Sequence, residues 1–488
     1  MKISFIDSPN WKGKESVERV FGCNLTIYPV PNIFTLTTAA VLRNKGHQVN
    51  YIDAANYYWT QLQFENFLRK NDSDILSIHS VNLSKEIDLL TLEMIRAIRG
   101  PIPIVFTGPA PTYMPNEFIK DKNAYVVRGE PEFTLAELVN ELSKPPLERS
   151  FNKIEGLSFM DNGMSIQNNP PRTPISDLDS LPFPARDLLD KRLYYNPKIG
   201  LAPWTVVLTS RGCCYRCIYC VPCSLSFSRE LEYKKYYGQK PPVRKRSVEN
   251  IIQEFRLLKE QGYKAISIID DNFIWGEERT IAICNGIKEL GVQWGCLARA
   301  DLITEKVACA MAGAGCQYID LGAESFNQEI LGYIHKDLKV ENIYAAIKIL
   351  KKYGIDVKLN ILLGTSPLET EKIILENIKI VKSLKASTVM FSIASPFPGT
   401  EFYNIVKENN WFDKGDYYPA YLQKKAIVSY PNLSAKDLER LLRWATYSYY
   451  LSPSFFMQGL KRIKSFRGLF GTAVAYWRKL NFDKESLK

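Results

Sequence analysis

The chain has 488 residues, a hydrophobic content of 46% and a formal net charge of +11. This length exceeds one ordinary domain and predicts two or three, with enough apolar side chains for a sizeable core. No apolar stretch of the sequence approaches the ~18–20 residues needed to span a bilayer, and no motif supports nucleic-acid recognition. The N-terminus starts directly with a β-rich run and lacks the apolar region of a signal peptide, which predicts a cytoplasmic protein.

Residues 1–145 alternate short β-rich runs with helical ones, which predicts a doubly wound parallel sheet. The predicted strands are Lys2–Ile6, Gln48–Ile52, Ile75–His79, Ile102–Thr107 and Ala124–Val127, with helices at Thr35–Lys45 and Lys85–Ile98. Such sheets bind ligands at the carboxyl ends of their strands, where small residues let the backbone approach closely. Six loop residues there are candidate ligand contacts: Ser80, Gly108, Pro109, Thr112, Gly129 and Glu130.

Residues 146–200 show little periodic pattern and contain proline-rich runs at 170–174 and 181–187, so we expect a linker between domains. From 201 to 398 the alternation of strands and helices resumes. Six strands are expected at Trp204–Leu208, Ala265–Ile269, Gln293–Leu297, Tyr318–Leu321, Val357–Leu362 and Thr388–Ile393, and helices at Val248–Gln261, Arg279–Leu290, Val340–Tyr353 and Glu369–Leu384. Residues 399–488 are predicted to be helical and to cover the mouth of the second domain.

The most specific motif lies directly after the first strand of this second domain. Cys213, Cys217 and Cys220 have the spacing Cys-x3-Cys-x2-Cys. Three thiolates can bind three irons of an iron–sulfur cluster and leave the fourth open, whereas clusters that only transfer electrons normally take four cysteines. A zinc site is the alternative, but its spare ligands are Cys214 and Cys223 in the same loop. We interpret those two cysteines as spectators, although a nearby thiol can also donate a hydrogen atom or a proton.

This motif resembles that of the radical S-adenosylmethionine (SAM) superfamily, whose fold is a partial (β/α)6 barrel. The resemblance implies a [4Fe-4S] cluster held by the three cysteines, and a contact of Tyr219 with adenine. It extends to the ends of the following strands, at 270–273, 297–301, 322–325 and 397–401. Matching positions there imply SAM contacts by Asp270, Asp271, Arg299, Glu324 and Ser325. The loop 363–369 lacks the usual second glycine of the family pattern, so it carries no assigned contact.

Residues 1–145 resemble the cobalamin-binding domain that precedes many radical SAM domains, through 108–112 and 125–132. In the linker, the Leu-Pro-Phe-Pro-Ala-Arg run at 181–186 is similar to the cobalamin-dependent radical SAM family. The motif Asp-x-His-x-x-Gly, which places a histidine below cobalt, is absent. Of the chain's 3 histidines, His79 ends a predicted strand, where it either approaches a ligand or is a hydrogen-bonded core residue. A domain that no longer binds cobalamin is the alternative.

The resemblance implies reductive cleavage of SAM to a 5′-deoxyadenosyl radical, abstraction of hydrogen from an unactivated carbon and methyl transfer from cobalamin. Radical cyclisation or skeletal rearrangement uses the same cofactors, and a non-catalytic iron–sulfur or cobalamin sensor is a third hypothesis. We expect a small-molecule or lipid-like substrate and an electron donor such as flavodoxin or ferredoxin. Basic clusters at 234–246 and 461–479 suggest peripheral membrane contact through the aromatic C-terminus, or a solvated helix face.

Overall fold

The structure is a computed structural model and describes residues 1–9, 17–22, 28–452 and 455. The chain divides into two compact units, each made of two segments. The sheet unit comprises Met1–Leu193 and Val221–Lys245, and the barrel unit comprises Tyr194–Cys220 and Arg246–Lys488. Strands and helices are numbered below along the whole chain, so each unit contains non-consecutive numbers.

The sheet unit contains eight strands and seven α-helices in its described residues. The strands are β1 (Lys2–Asp7), β2 (Gln48–Asp53), β3 (Ile75–His79), β4 (Ile104–Thr107), β5 (Ala124–Val127), β6 (Leu157–Met160), β7 (Ile166–Asn168) and β10 (Arg244–Lys245). The helices are α1 (Ile33–Asn44), α2 (Gln61–Lys70), α3 (Lys85–Arg99), α4 (Pro109–Tyr113), α5 (Pro115–Phe118), α6 (Pro131–Leu142) and α7 (Ser224–Tyr237). Short 3-10 helices lie at Pro146–Glu148, Leu178–Ser180, Arg186–Leu188 and Lys191–Leu193.

Seven of these strands form one sheet in the order β2-β1-β3-β4-β5-β6-β7. The first five are parallel, whereas β6 pairs antiparallel with β5 and β7 antiparallel with β6. All five residues of β3 are buried, as expected for a central parallel strand covered by helices on both faces. Two apolar cores lie on the two sides of the sheet, one including Phe5 and the other Phe106. The predicted doubly wound sheet is confirmed.

The barrel unit contains seven strands and eight α-helices in its described residues. The strands are β8 (Trp204–Val207), β9 (Ser210–Arg211), β11 (Ala265–Ile268), β12 (Gln293–Ala298), β13 (Cys316–Glu324), β14 (Asp356–Leu363) and β15 (Thr388–Ile393). The helices are α8 (Val248–Glu260), α9 (Glu277–Ile287), α10 (Glu305–Gly313), α11 (Gln328–Tyr333), α12 (Val340–Lys352), α13 (Glu371–Leu384), α14 (Glu401–Glu408) and α15 (Ala435–Tyr450). Two 3-10 helices, Lys288–Leu290 and Ala300–Leu302, complete it.

Six of these strands form a parallel sheet in the order β15-β14-β13-β12-β11-β8. Successive strands are neighbours and are connected through helices, which is the architecture of a partial (β/α)6 barrel. Several helices begin at side-chain caps, and α15 has a full capping box in which Ser434 and Asp437 each accept from the other's backbone. The predicted barrel is therefore confirmed, with β8 and β15 as its two edges.

The structure differs from the expected domain boundaries in two segments. Part of the predicted linker 146–200 forms β6 and β7, which extend the first sheet at its edge. Val221–Lys245, which was expected in the second domain, belongs to the sheet unit, where α7 packs against α4. Arg128, which follows β5, helps to hold α7 in this unit, because its guanidinium donates to Glu232 of α7 at 2.9 Å.

The expectation that the C-terminal region 399–488 covers the mouth of the barrel stays a prediction. This region contacts the end of β14, since Tyr430 donates to the Gly364 carbonyl at 3.0 Å. Its last described helix, α15, packs along β15 and α13 at the edge of the barrel sheet. Tyr449 donates to the Ala386 carbonyl and Tyr450 to the Val389 carbonyl, both at 2.5 Å and both near the start of β15. This helix therefore covers β15, an edge strand of the barrel sheet, which is a common protection against edge-to-edge pairing.

The first basic cluster is largely paired with carboxylates. Four of its residues form ion pairs: Lys234 and Lys240 with Glu230, Arg244 with Glu130, and Arg246 with Glu254. The second cluster, at 461–479, lies outside the described residues. In the described part of the chain, no helix combines the length and apolarity needed to cross a membrane.

Candidate active site

The loop that carries the three cysteines starts where β8 ends, and Asp270 fixes its first residues. Asp270 follows β11, the strand next to β8. It is fully buried and accepts hydrogen bonds from the Thr209 N–H at 2.6 Å, the Thr209 hydroxyl at 2.5 Å and the Ser210 hydroxyl at 2.6 Å. Burial raises the pKa of Asp270 to about 6, against the opposing effect of these donors. The side chain predicted to contact SAM thus supports the cysteine loop.

Asp271 supports the next step of the loop. Its Oδ2 accepts from the Gly212 N–H at 3.1 Å. Gly212 has φ +96°, a left-handed conformation that glycine adopts without the steric cost of a Cβ atom. The turn before Cys213 therefore depends on both residues.

The three motif cysteines share one environment. Cys213, Cys217 and Cys220 are each half-buried, whereas Cys214 is exposed and Cys223 is buried. Among the described residues, no three His, Cys, Asp or Glu side chains surround a position for a single metal ion. A cubane cluster binds each thiolate through a different iron, so its cysteines need not converge on one point. Three accessible thiols on one loop fit a cluster better than the zinc alternative.

Arg299 links the end of β12 to two other segments. Its guanidinium pairs with Asp301 at 3.1 Å and donates to the carbonyls of Lys336 at 2.9 Å and Asp337 at 3.0 Å. It also lies over the Tyr215 ring of the cysteine loop, 3.5 Å from the ring centroid. The residue predicted to pair with the SAM carboxylate is thus extensively engaged within the protein.

Sequence reasoning missed Lys336. Its side chain and that of Glu324 are each 8% exposed, and the two pair at 2.9 Å. Its Nζ also donates to the Tyr219 hydroxyl at 3.4 Å. Although burial favours the neutral amine, the Glu324 carboxylate outweighs it and raises the pKa of Lys336. A buried ammonium group therefore lies beside the aromatic residue of the cysteine motif.

The backbone around this ion pair is unusual. Glu324, His335 and Asp337 have φ values of +62°, +51° and +47°, which non-glycine residues rarely adopt. The Ile218 N–H of the cysteine loop donates to the Ile334 carbonyl at 3.2 Å, so the strained segment and the loop are joined directly. Strained backbone persists only where its surroundings hold it in place, and it concentrates at functional sites.

Tyr219 and Ser325 complete the predicted SAM residues. Burial and the Glu324 carboxylate raise the pKa of Tyr219 well above its usual value, so the phenol keeps its proton. The Ser325 hydroxyl accepts from the Asn377 amide at 3.0 Å and from the Asn327 N–H at 3.1 Å. The structure brings Tyr219, Glu324 and Arg299 together through Lys336, and it places Asp270 and Asp271 at the base of the loop.

In the sheet unit, the candidate contacts lie at the carboxyl ends of β3, β4 and β5. Gly108 has φ +103°, and a Cβ atom there would lie 2.4 Å from the Ser80 carbonyl oxygen. Pro109 is the first residue of α4. The Thr112 hydroxyl donates to the Gly108 carbonyl at 2.8 Å and accepts from the Gly129 N–H at 3.2 Å. These close backbone approaches bring the three loops together.

Glu130 is held by charge and by the backbone. Its Oε2 accepts from the Arg244 guanidinium at 3.0 Å and from the Ile175 N–H at 2.9 Å. Gly129 and Glu130 line a narrow cleft whose other walls include Arg229 and Tyr233 of α7. Glu130 thus shapes this cleft through contacts inside the sheet unit.

His79 is a core residue with both ring nitrogens engaged. Nδ1 lies 3.1 Å from the Thr107 hydroxyl and Nε2 lies 2.9 Å from the Ser224 hydroxyl. Burial lowers the pKa of His79 to about 3, so the ring is neutral. Of the two interpretations of this histidine, the structure favours the hydrogen-bonded core residue.

Three buried polar atoms near these strand ends fit an additional ligand. Asn32 Nδ2, Ser80 Oγ and Asn82 Oδ1 have no hydrogen-bond partner among the described residues. Buried polar atoms are almost always paired, and leaving one unpaired costs about 1–3 kcal/mol. The corrin ring of cobalamin carries several amide side chains, each a donor and an acceptor, so the chemistry of this edge fits that cofactor.

Family comparisons match two regions of the chain, and the second region also spans Val221–Lys245 of the sheet unit. The B12 binding domain matches residues 28–139 and the radical SAM superfamily matches residues 207–376. The first region contains the loops with unpaired polar atoms, and the second contains the cysteine loop with its Asp270 and Lys336 supports.

Individual relatives cover most of the chain. An uncharacterized methyltransferase, PH0819, of Pyrococcus horikoshii is 31% identical over 466 residues, covering 94% of this chain and 95% of the relative. Cytidylyl-2-hydroxyethylphosphonate methyltransferase of Streptomyces wedmorensis is 25% identical, with 81% of each chain covered. The structure of the radical SAM methyltransferase TsrM of Kitasatospora setae, with cobalamin and a [4Fe-4S] cluster bound, matches with a TM-score of 0.67 over 100% of both chains. At 15% identity, this last likeness concerns the fold alone.

Proposed function

Because the chain belongs to the cobalamin-binding radical SAM family of methyltransferase-like enzymes, we propose that it methylates an unactivated carbon of a small molecule. The observation that carries this proposal is the cysteine loop, which has three half-buried thiols and whose Tyr219 hydroxyl accepts from Lys336 of the buried Lys336–Glu324 pair. An electron-transfer protein needs no such arrangement next to an incomplete ligand set.

The cofactors of this enzyme are a [4Fe-4S] cluster, SAM and cobalamin. When bound, they supply the electron, the 5′-deoxyadenosyl radical and the methyl group, which side chains cannot provide. We assign the iron ligands to Cys213, Cys217 and Cys220. The contribution of the remaining residues is to position these groups and to exclude water.

The supporting residues act at different distances from the reaction. Tyr219 and Ser325 are the proposed direct contacts to SAM, together with Glu324, whose carboxylate is held by Lys336. Asp270, Asp271 and Arg299 are positioning residues in this proposal, since their polar groups hold the cysteine loop and the segment 336–337.

The proposed cobalamin site is the edge formed by Ser80, Gly108, Pro109, Thr112, Gly129 and Glu130. Support comes from the close backbone approach at Gly108 and from the unpaired Ser80 hydroxyl among the described residues. Main-chain groups and small side chains suit a large, flat ligand, because they leave room for it.

The substrate and the redox partner follow from the same proposal. The Streptomyces relative is named for a nucleotide-linked phosphonate, and we propose that this chain also acts on a small molecule. A flavodoxin or ferredoxin would deliver the electrons. A lipid-like substrate and a membrane contact depend on the basic, aromatic residues at 461–479, which lie outside the described part.

The test is anaerobic reconstitution of the full-length chain with iron, sulfide and cobalamin, followed by dithionite and SAM. We expect 5′-deoxyadenosine and S-adenosylhomocysteine to form together, measured by mass spectrometry, with cobalamin retained on the protein. Formation of 5′-deoxyadenosine alone would instead favour cyclisation or rearrangement. Formation of neither product by protein with an intact cluster would favour the sensor hypothesis.

Two cysteine variants provide the matched control. Cys217→Ala removes one proposed iron ligand, so we expect loss of the visible cluster absorbance and of 5′-deoxyadenosine to below detection. Cys214→Ala changes the exposed neighbour of Cys213 and should retain both. Equal cluster content in the two variants would contradict the assignment of ligands.

A further inference from the structure

The helix α15 is apolar on two opposite faces along its second half. Its inward face packs on the barrel and buries Ala445 and Tyr449. On the outward face, Trp444 is 43% exposed, and Leu451, which caps the helix, is 66% exposed. Tyr447 lies between these two at helical spacing and is half-buried. A helix that is apolar all round is normally covered, so this outward surface indicates a contact.

Basic side chains lie on the same outward side of the helix. Lys436 and Arg440 precede Trp444 at intervals of four residues, so the three share one side. Lys436 and Arg443 are exposed, whereas Arg440 pairs with Glu371 of α13 at 2.7 Å. We call six residues the outer face of α15: Lys436, Arg440, Arg443, Trp444, Tyr447 and Leu451.

The direction of α15 places this face relative to the cysteine loop. Near the start of the helix, Leu438 lies against Gly364, which follows β14, since a Cβ atom at Gly364 would lie 2.8 Å from the Leu438 side chain. Near its end, Tyr449 donates to the carbonyl of Ala386, which precedes β15. The apolar half of the outer face therefore lies toward the amino ends of the strands, whereas the cysteine loop follows the carboxyl end of β8. A redox partner, which must approach the cluster, does not fit this position.

The charge of this part of the sequence favours an anionic partner. From Arg440 to Phe482 the sequence contains eight basic residues, eleven aromatic residues and no acidic residue. Two copies of the chain would bring these like charges together, which disfavours a second copy as the partner. Anionic lipid headgroups attract lysine and arginine side chains, and tryptophan and tyrosine side chains favour the boundary between headgroups and acyl chains. A lipid surface therefore matches both parts of the outer face.

We propose that the outer face of α15 binds the surface of a membrane that contains anionic lipids. The helix lies in the plane of that surface, with Trp444, Tyr447 and Leu451 at the acyl-chain boundary and the basic side chains at the lipid phosphates. The proposal goes beyond the proposed reaction, because this binding needs neither SAM nor turnover. It extends the contact expected at 461–479 to residues that the structure describes.

The first test is flotation of the full-length, reconstituted protein with phosphatidylcholine vesicles, with and without phosphatidylglycerol as the anionic lipid. We expect binding only to the anionic vesicles, and weaker binding at high salt because salt screens the charges. Each basic residue near such a surface strengthens binding by about fivefold. The double variant Arg443→Glu/Trp444→Ser, which also loses an aromatic side chain, should therefore bind about tenfold more weakly or less.

The matched control is the double variant Tyr344→Ser/Lys348→Glu on α12. Tyr344 is 40% exposed, close to the value of Trp444, and Lys348 is exposed on the same helix. This variant makes the same change of charge and also removes an exposed aromatic side chain, but on another helix of the barrel unit. We expect it to bind anionic vesicles as the wild type does. The iron content and the thermal midpoint of both double variants should equal those of the wild type, which excludes misfolding.

The second test is hydrogen exchange of residues 444–452 in the same reconstituted protein. We expect slower exchange of this segment when anionic vesicles are added, because the lipid surface covers it and restrains fraying of the end of the helix. Neutral vesicles should leave the exchange unchanged. The segment 340–352 of α12 serves as the internal reference and should exchange equally in all three conditions.

Equal vesicle binding by the wild type and the α15 variant, or equal binding to neutral vesicles, would overturn the proposal. A dimer that the α15 variant loses, without vesicle binding, would identify a second copy as the partner instead. Slow exchange of 444–452 that vesicles do not change would show that the chain covers this face itself. Tighter binding to poly-L-glutamate than to anionic vesicles would assign the face to an acidic protein. The product assay for 5′-deoxyadenosine is separate, and its failure would change none of these results.

Discussion

Both units end their parallel strands in a row of loops, but they use this edge differently. In the sheet unit, the edge is filled with charged residues paired inside the unit, such as Arg128 with Glu232 and Arg19 with Asp88 at 2.8 Å. In the barrel unit, the charged residues Asp270, Arg299 and Lys336 lie under and beside a loop whose cysteines remain half-buried. Charges in the first unit hold its strand ends and loops to neighbouring helices, and those in the second hold the cysteine loop in position.

Of the variants that test this difference between the two units, the replacement of Lys336 should change stability most. Lys336→Met leaves the buried Glu324 carboxylate without its ion-pair partner, and breaking a buried pair costs about 3–5 kcal/mol. We expect faster hydrogen exchange in β13 and lower iron content after reconstitution, with the sheet unit unchanged. The double variant Lys336→Met/Glu324→Gln should recover most of the protection, and failure to recover would show that the pair is not the cause.

The corresponding change in the sheet unit is Arg128→Met. Its guanidinium is fully buried and also donates to the Leu157 carbonyl at 3.1 Å. The variant therefore leaves both the Glu232 carboxylate and this carbonyl without their donor. We expect a loss of about 3 kcal/mol, measured as faster exchange in β6 and α7, with normal iron content. Loss of iron equal to that of Lys336→Met would contradict the separation of the two roles.

A smaller, pH-dependent effect should appear at His79. The unfolded chain takes up this proton near the usual pKa of 6.5, whereas the folded chain does so only at about 3. Protons therefore favour unfolding between these values, and the stability that His79 contributes is complete above 6.5 and lost as the pH falls toward 3. The difference in exchange protection of β3 between wild type and His79→Gln should shrink over this range, after correction for intrinsic rates. A constant difference would show that the folded ring takes up its proton at the same pH as the unfolded one.

Asp270 should give the smallest effect, of opposite sign. Its folded pKa of about 6 lies above the usual value of 3.8, so the folded chain holds this proton more tightly. The corresponding stability is present at low pH and lost as the pH rises through about 6. Against Asp270→Asn, whose amide oxygen can still accept from Thr209, the protection of β11 should therefore decline between pH 4 and 6 and stay level above. A rise over this interval would refute the assignment.

The strands of both sheets were predictable because most are apolar runs of four or more residues separated by helical segments. Ile75–His79 and Thr388–Ile393 agree with the structure to the residue. The edge strand Ile166–Asn168 was missed because it is short, half-exposed and mostly polar, so neither periodicity nor hydrophobicity marks it. The assignment of α7 to the sheet unit depends on the pair of Arg128 and Glu232, which lie 104 residues apart.

The site was predictable only where chemistry is encoded in local spacing. The three cysteines lie within one turn-rich loop, so the sequence alone indicates their common role. Lys336 reaches Tyr219 from 117 residues away, and nothing in the run Ile334-His335-Lys336-Asp337 indicates a buried charge. Asp270 was placed correctly after its strand, but its partners Thr209 and Ser210 come from a neighbouring strand end.

The discontinuous make-up of the sheet unit has a consequence for synthesis of the protein. Its last segment, Val221–Lys245, is translated directly after Cys220. If the first 193 residues fold during translation, they cannot yet form the complete sheet unit, because α7 and its Glu232 have not been made. The ribosome therefore makes Cys213, Cys217 and Cys220 before the sheet unit is complete. A fragment that ends at Leu193 would lack α7, which is one of the helices of the sheet unit.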